Sequence, residues 1–166
     1  YLMHGFSGSG KTWRSQRMVA ELPALRVRSD LERKRLPGLG ADQFVTGVIG
    51  AGLYGAAVSE QTYQTLYRHC ETGLRAGFDM IADATFLRRQ HREWFCELAQ
   101  SLAVNVWIVD CSAPDNVLRE RIRERAARQQ DASDADIAVL EHQLKHYDPL
   151  TDLELELAWP GFRNSG

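Results

Sequence analysis

Near the start of the chain, HGFSGSGKTW (His4 to Trp13) carries the pattern G-x-x-x-x-G-K-T between Gly5 and Thr12. Residues of these types at this spacing bind phosphate. Gly5, Gly8 and Gly10 let the backbone turn its N–H groups toward an anion, and Phe6, Ser7 and Ser9 complete that loop. A helix after the loop points its positive end at the same place. Lys11 is placed to reach the β- and γ-phosphates of a nucleoside triphosphate, and the Thr12 hydroxyl to bind Mg²⁺. Trp13 follows directly and is counted with the nucleotide-binding residues. The pattern alone does not separate ATP from GTP. Nor does it say where the last phosphate goes.

Acidic and basic residues further along can complete such a site. Asp30, in RVRSDLERKRL, follows a strand-like stretch and opens a short helix. A carboxylate there accepts a proton from an acceptor hydroxyl as a general base, or serves only as a helix cap. Arg33 lies three residues on, on the same helix face. It holds an acceptor phosphate or carboxylate, or is a solvated charge. Asp83 follows the strand-like FDMIA and suits a carboxylate that holds Mg²⁺ directly or through water; its plainer reading is a turn residue. Asp110 closes VNVWIVD and reads first as a turn residue. In the run Arg119, Arg121, Arg123, Arg125 and Arg128, the residues at 121, 125 and 128 share a helix face. An arginine helix ahead of the polar break QQDASDAD is what a lid over about residues 119–136 needs. Closing it brings guanidinium groups to the γ-phosphate and shuts out water. The bland reading is a solvated helix laced with pairs such as Asp115–Arg119 and Glu124–Arg128.

Strands and helices must alternate to position these groups. Residues 1–3 read as the end of a strand, 11–21 as a helix stopped by Pro23, and 25–29 as a short strand. Residues 30–36 form a short helix closed by Pro37-Gly38. Gly38, Gly40, Gly47, Gly50, Gly52 and Gly55 leave the next stretch, 38–57, without an assigned element. Ser59 is expected to cap a helix ending at Gly77, with Tyr63, Leu66, Tyr67, Cys70 and Leu74 as its apolar stripe. A buried strand follows over 78–82. A helix over 87–102 turns Trp94, Phe95 and Leu98 inward. The β-branched and aromatic stretch 104–110 reads as another strand. One helix starts near Pro114, and another is capped by Ser133 with Asp136 in a capping box. Residues 153–159 alternate like an edge strand. This order gives a parallel sheet with helices on both faces. Ligands of such sheets sit beyond the carboxyl ends of the strands, and Gly5, Asp30, Asp83 and Asp110 all fall there.

The chain's 166 residues suit one domain, 1–166, with a real core. A net charge of -2 disfavours long nucleic acid as a ligand, since proteins that wrap it are more often basic. Cys70, Cys96 and Cys111 are scattered and odd in number. They read as reduced thiols of a cytoplasmic protein, not as a disulfide frame or a zinc site. No apolar run approaches the roughly 18 residues that span a membrane, and no signal peptide is visible. A full buried strand usually precedes a phosphate loop. Only Tyr1, Leu2 and Met3 precede His4, so the chain is expected to be an excerpt of a longer one.

GFSGSGKTW, RVRSDLERKRL, IADATFL and LRERIRERAARQQDASDAD, in that order, resemble a known group. The chain looks like the P-loop kinases that include phage-type polynucleotide 5′-kinases and zeta-toxin-like kinases. More closely, it resembles the predicted ATP-binding domains fused behind aminoglycoside-phosphotransferase-like domains in bacteria. The resemblance implies a P-loop NTPase three-layer α/β sandwich, with a five-stranded parallel sheet in the order 2-3-1-4-5 and a helical lid. It implies ATP and Mg²⁺ as cofactors, Asp30 as general base and Arg33 as acceptor contact. Asp83-Ala84 matches the Asp-Thr or Asp-Ala pair after the third strand, and Arg121 and Arg125 match two lid arginines spaced by four. A fused N-terminal domain is implied as well. The acceptor-binding part of the 5′-kinases has no counterpart in residues 38–57. The expected function is transfer of the γ-phosphate of ATP to a hydroxyl of a small molecule or nucleotide end. A regulatory ATPase module and a polynucleotide 5′-hydroxyl kinase are the alternatives.

Overall fold

The computed structural model describes residues 1–36, 52–128 and 137–161. In chain order the elements are β1 (Leu2–His4), α1 (Lys11–Glu21), β2 (Ala24–Arg28), α2 (Ser29–Arg35), α3 (Gly52–Arg75), β3 (Asp79–Asp83), α4 (Arg89–Ser101), β4 (Ile108–Asp110), α5 (Asp115–Arg128), α6 (Ile137–Lys145) and α7 (Asp152–Glu156). The strands form one sheet in the order β2-β3-β1-β4, and every pairing is parallel. The loop after β1 therefore opens in the middle of the sheet's carboxyl edge.

Alternate residues of each strand feed opposite faces, as the pleat requires. Leu2, Met80 and Ala82 pack with Tyr63, Leu66 and Cys70 of α3 and Phe95 and Leu98 of α4. Met3, Ile81 and Val109 pack on the other face with Met18 of α1 and, at the margin, Trp159. A sheet covered on both faces needs apolar residues at nearly every position, and the short, continuous runs of β1 and β3 supply them.

Four expectations change. The sheet has four strands among the described residues, where five were expected. At the place of a fifth, Ala158 makes an isolated parallel bridge to Ile108. The 153–159 stretch is not a strand, because Thr151 and Glu154 close a capping box that starts α7. Glu154 is then drawn inward by Arg92, which is fully buried and donates to it at 2.6 and 3.0 Å. The same guanidinium donates to the carbonyls of Phe86, Asp148 and Pro149, so it ties the tail to α4.

The 104–110 strand shrinks to Ile108–Asp110 because α4 claims its start. Ala103 adopts φ 53, and the N–H groups of Ala103 and Val104 return to the carbonyls of Gln100 and Ala99. This is the helix-closing arrangement that glycine normally marks, here built on alanine. Ser59 is not a cap, since α3 already runs from Gly52. Gly55 lies on an exposed turn where a Cβ would meet nothing within 4 Å, so the helix tolerates it. The remainder of the glycine-rich stretch, the polar break and the Ser133–Asp136 cap lie outside the described residues.

Candidate active site

The loop between β1 and α1 is built for close approach. Gly5 has φ 134, and a Cβ on it would run into the Cys111 carbonyl. Gly8 has φ 83, and its Cβ would lie 2.8 Å from the carbonyl of Leu118 on α5. Both positions need glycine for backbone shape and for space. The Gly5 N–H donates to Thr85 O, and the Cys111 N–H to His4 O, so the loop hangs between the ends of β3 and β4. His4 Nδ1 also pairs with Asp110 Oδ1 at 2.7 Å, which makes Asp110 a brace under the loop.

Lys11 opens α1 with its side chain folded back over the loop. Nζ donates to Phe6 O at 2.6 Å and lies 3.4 Å from Ser9 Oγ. Burial pushes its pKa down to about 8; Asp83 and Cys111 oppose that shift, and Arg125 adds to it. Lys11, Asp83 and Arg125 are therefore close enough to feel one another's charge. Thr12 is exposed at the first turn of α1. Trp13 is 65% exposed, with the Arg17 guanidinium 5.9 Å from its ring.

Asp83 is buried at the end of β3. Its Oδ2 accepts from the Ser15 hydroxyl at 2.7 Å and from Arg26 at 2.6 and 3.0 Å. Oδ1 accepts no hydrogen bond from the described residues. Thus Asp83 and the Thr12 hydroxyl offer hard oxygen ligands near the loop, which fits Mg²⁺. The loop amides and Lys11 fit a triphosphate.

Asp30 lies in the first turn of α2, just past the end of β2. It is held by Arg28 in a two-pronged ion pair at 2.5 and 3.1 Å, and its Oδ1 accepts the Leu31 N–H. In the sheet Arg28 stands opposite Asp83. Two strand spacings separate β2 from β1, so Asp30 stands roughly 10 Å to one side of the loop's root. Arg33 is exposed, and its guanidinium makes no ion pair among the described residues; its charge reaches the Tyr63 hydroxyl. From the opposite side, Arg121 Nη1 donates to Gly8 O at 3.3 Å.

The structure thus gathers Lys11, Thr12, Asp83, Arg121 and Arg125 around the loop, with Asp30 and Arg33 past the end of β2, two strands away. Sequence reasoning missed four residues. Arg26 and Ser15, which hold Asp83, look like an exposed strand residue and a helix residue. Arg28 looks like one basic residue among several. Gln143 of α6 accepts the Ser7 N–H at 2.9 Å from 136 residues away, and no local pattern marks it.

A loop on the central strand of a parallel sheet, with a buried lysine and a carboxylate beneath it, defines a nucleotide-phosphate-binding α/β domain. The chain belongs to the AAA domain family AAA_33, matched over residues 1–150. It is 32% identical over 166 residues to the uncharacterized protein Rv2004c of Mycobacterium tuberculosis (strain ATCC 25618 / H37Rv), covering 99% of this chain and 33% of that protein. The chain therefore spans about a third of the length of the curated relatives it matches. Its fold is similar to that of a sugar kinase from Janibacter sp. HTCC2649, with TM-score 0.65 and 18% identity over 91% of this chain and 78% of that one. It is also similar to a gluconokinase from Sinorhizobium meliloti 1021, with TM-score 0.63 and 16% identity over 89% of this chain and 74% of that one.

Proposed function

We propose that the chain transfers the γ-phosphate of ATP to a hydroxyl of a small molecule, with Mg²⁺. The observation that carries this reading is the clustering of Lys11, Asp83, Arg121 and Arg125 at one loop, with Asp30 just past the end of β2, two strands away on the same sheet edge. A site that only bound Mg²⁺·nucleotide would need the loop and one carboxylate for the metal, not a second carboxylate at the end of β2. The small-molecule kinases of the same fold support a small acceptor over an oligonucleotide. The polynucleotide 5′-kinase likeness remains the source of the roles given to Asp30 and Arg33.

Bound Mg²⁺·ATP supplies the phosphoryl group and neutralises part of its charge. Lys11 would leave Phe6 O for the β- and γ-phosphate oxygens, and Thr12 and Asp83 are the residues that would hold the metal, directly or through water. Asp30 takes the acceptor proton, and Arg28 orients its carboxylate. Arg33 orients an acidic or phosphate group of the acceptor. Arg121 and Arg125 face the charge that develops on the moving group. Positioning and charge carry most of the rate in such transfers.

The test is a screen for transfer from γ-labelled ATP over sugars, sugar acids, nucleosides and 5′-hydroxyl oligonucleotides, with Lys11→Ala as control. Acceptor-dependent transfer lost in Lys11→Ala supports the reading. Hydrolysis that no acceptor accelerates would oppose it and favour a regulatory ATPase module.

A further inference from the structure

We propose that Gln143 is an additional donor to the γ-phosphoryl group, held in place by the phosphate loop itself. This rests on the phosphotransferase reading above. Gln143 stands on α6, and its Oε1 accepts the Ser7 N–H at 2.9 Å. A glutamine amide has one accepting end and one donating end. Because Ser7 presents an N–H, the loop decides which end faces it. The NH₂ end is thereby turned from Ser7, and its two hydrogens meet no acceptor among the described residues.

Neighbouring contacts lock this arrangement. Phe6, just before Ser7, meets Tyr147 edge-on with ring centroids 5.0 Å apart. Phe6 also packs against Leu118, Ile122 and Leu140, the cluster that joins α5, α6 and the loop. Arg119 and Glu141 tie the two helices by an ion pair. Just after Ser7, Gly8 O accepts from Arg121. Gln143 and Arg121 thus touch consecutive loop residues from consecutive helices. The residue given to the γ-phosphoryl group and this unused amide share one shoulder of the loop. An amide whose carbonyl is already fixed loses little freedom when its NH₂ takes an anionic oxygen, and preorganised donors of this kind act where charge develops. Being neutral, it adds donors without competing for the metal.

The test needs no acceptor. Calorimetry on the chain measures affinity for Mg²⁺ with β,γ-imido-ATP and for Mg²⁺ with ADP, in the parent, Gln143→Glu and Gln143→Ala. Gln143→Glu keeps an oxygen for Ser7 and removes the donors. A γ-phosphate contact weakens the triphosphate analogue by about ten-fold or more in Gln143→Glu and about five-fold in Gln143→Ala, with ADP changed by less than about two-fold. Equal losses for both nucleotides, or an unchanged analogue affinity in Gln143→Glu, would make Gln143 a mere brace and overturn the proposal. A parent chain that binds neither nucleotide would instead sink the phosphotransferase reading, and this proposal with it.

Discussion

Lys11 is the residue whose state nucleotide binding must change. Burial holds its pKa down to about 8, whereas phosphate oxygens beside it would favour the charged form. The bound pKa is then the higher one. Below pH 8 the lysine is already charged, and its titration does not oppose binding. Above that pH binding must take up a proton, and affinity falls by up to about ten-fold per pH unit. Calorimetry at pH 9 in buffers of different ionisation enthalpy should show proton uptake that is much smaller at pH 7. Equal uptake at both values would count against Lys11 as the group responsible. Asp30→Asn should leave nucleotide affinity intact and lower acceptor-dependent transfer by about 10²- to 10⁴-fold. Transfer at the parent rate would remove Asp30 from the base role. At this scale the phosphate loop was plain in the sequence, because its chemistry is carried by eight consecutive residues. The groups around it were not. Arg26 reaches Asp83 across the sheet, and Gln143 reaches Ser7 from a distant helix, so neither leaves a local pattern.

Among the elements, those that bury one face were legible. The α1 bounds match the expected 11–21, and Gly77 closes α3 as expected, with the Phe78 N–H returning to Gly73 O. The failures share a cause: a tertiary or capping contact outweighed a local pattern. LELELAW alternates like a strand, yet the Thr151–Glu154 box and Arg92 make its first half helical. VNVWIVD reads as one strand, yet Val104 is spent on closing α4. The Arg92–Glu154 pair yields a direct prediction. Arg92→Met would leave a buried carboxylate and three carbonyls without their donor, and should lower stability to urea by about 3 kcal/mol. A loss below about 1 kcal/mol would mean that the tail is held mainly by its apolar contacts. Burial alone would raise the Glu154 carboxyl, but the bonds from Arg92 and Thr151 outweigh it and hold the carboxyl below its ordinary value. The stability it contributes is present above its unfolded-state pKa and is lost as pH falls through the lower folded value.

Across the whole molecule the site lies between β3, the loop and the α5–α6 pair, so nucleotide should brace all three together. Saturating Mg²⁺·ATP analogue at about 100 times its Kd should stabilise the chain by about 2.7 kcal/mol, read as a rise in Tm. Lys11→Ala should lose that rise while keeping the ligand-free Tm to within a few degrees. A rise that survives in Lys11→Ala would place the nucleotide somewhere other than the loop. The same global view gives the tail a different meaning. Arg92 and Glu154 are 62 residues apart in the chain, so their pair acts as a non-covalent cross-link closing a long loop. Extracellular domains of similar size often close such loops with a disulfide. Here the fastener is ionic, and Cys70, Cys96 and Cys111 are all free thiols. The docking of the tail should therefore be indifferent to reductant and answer to acid instead.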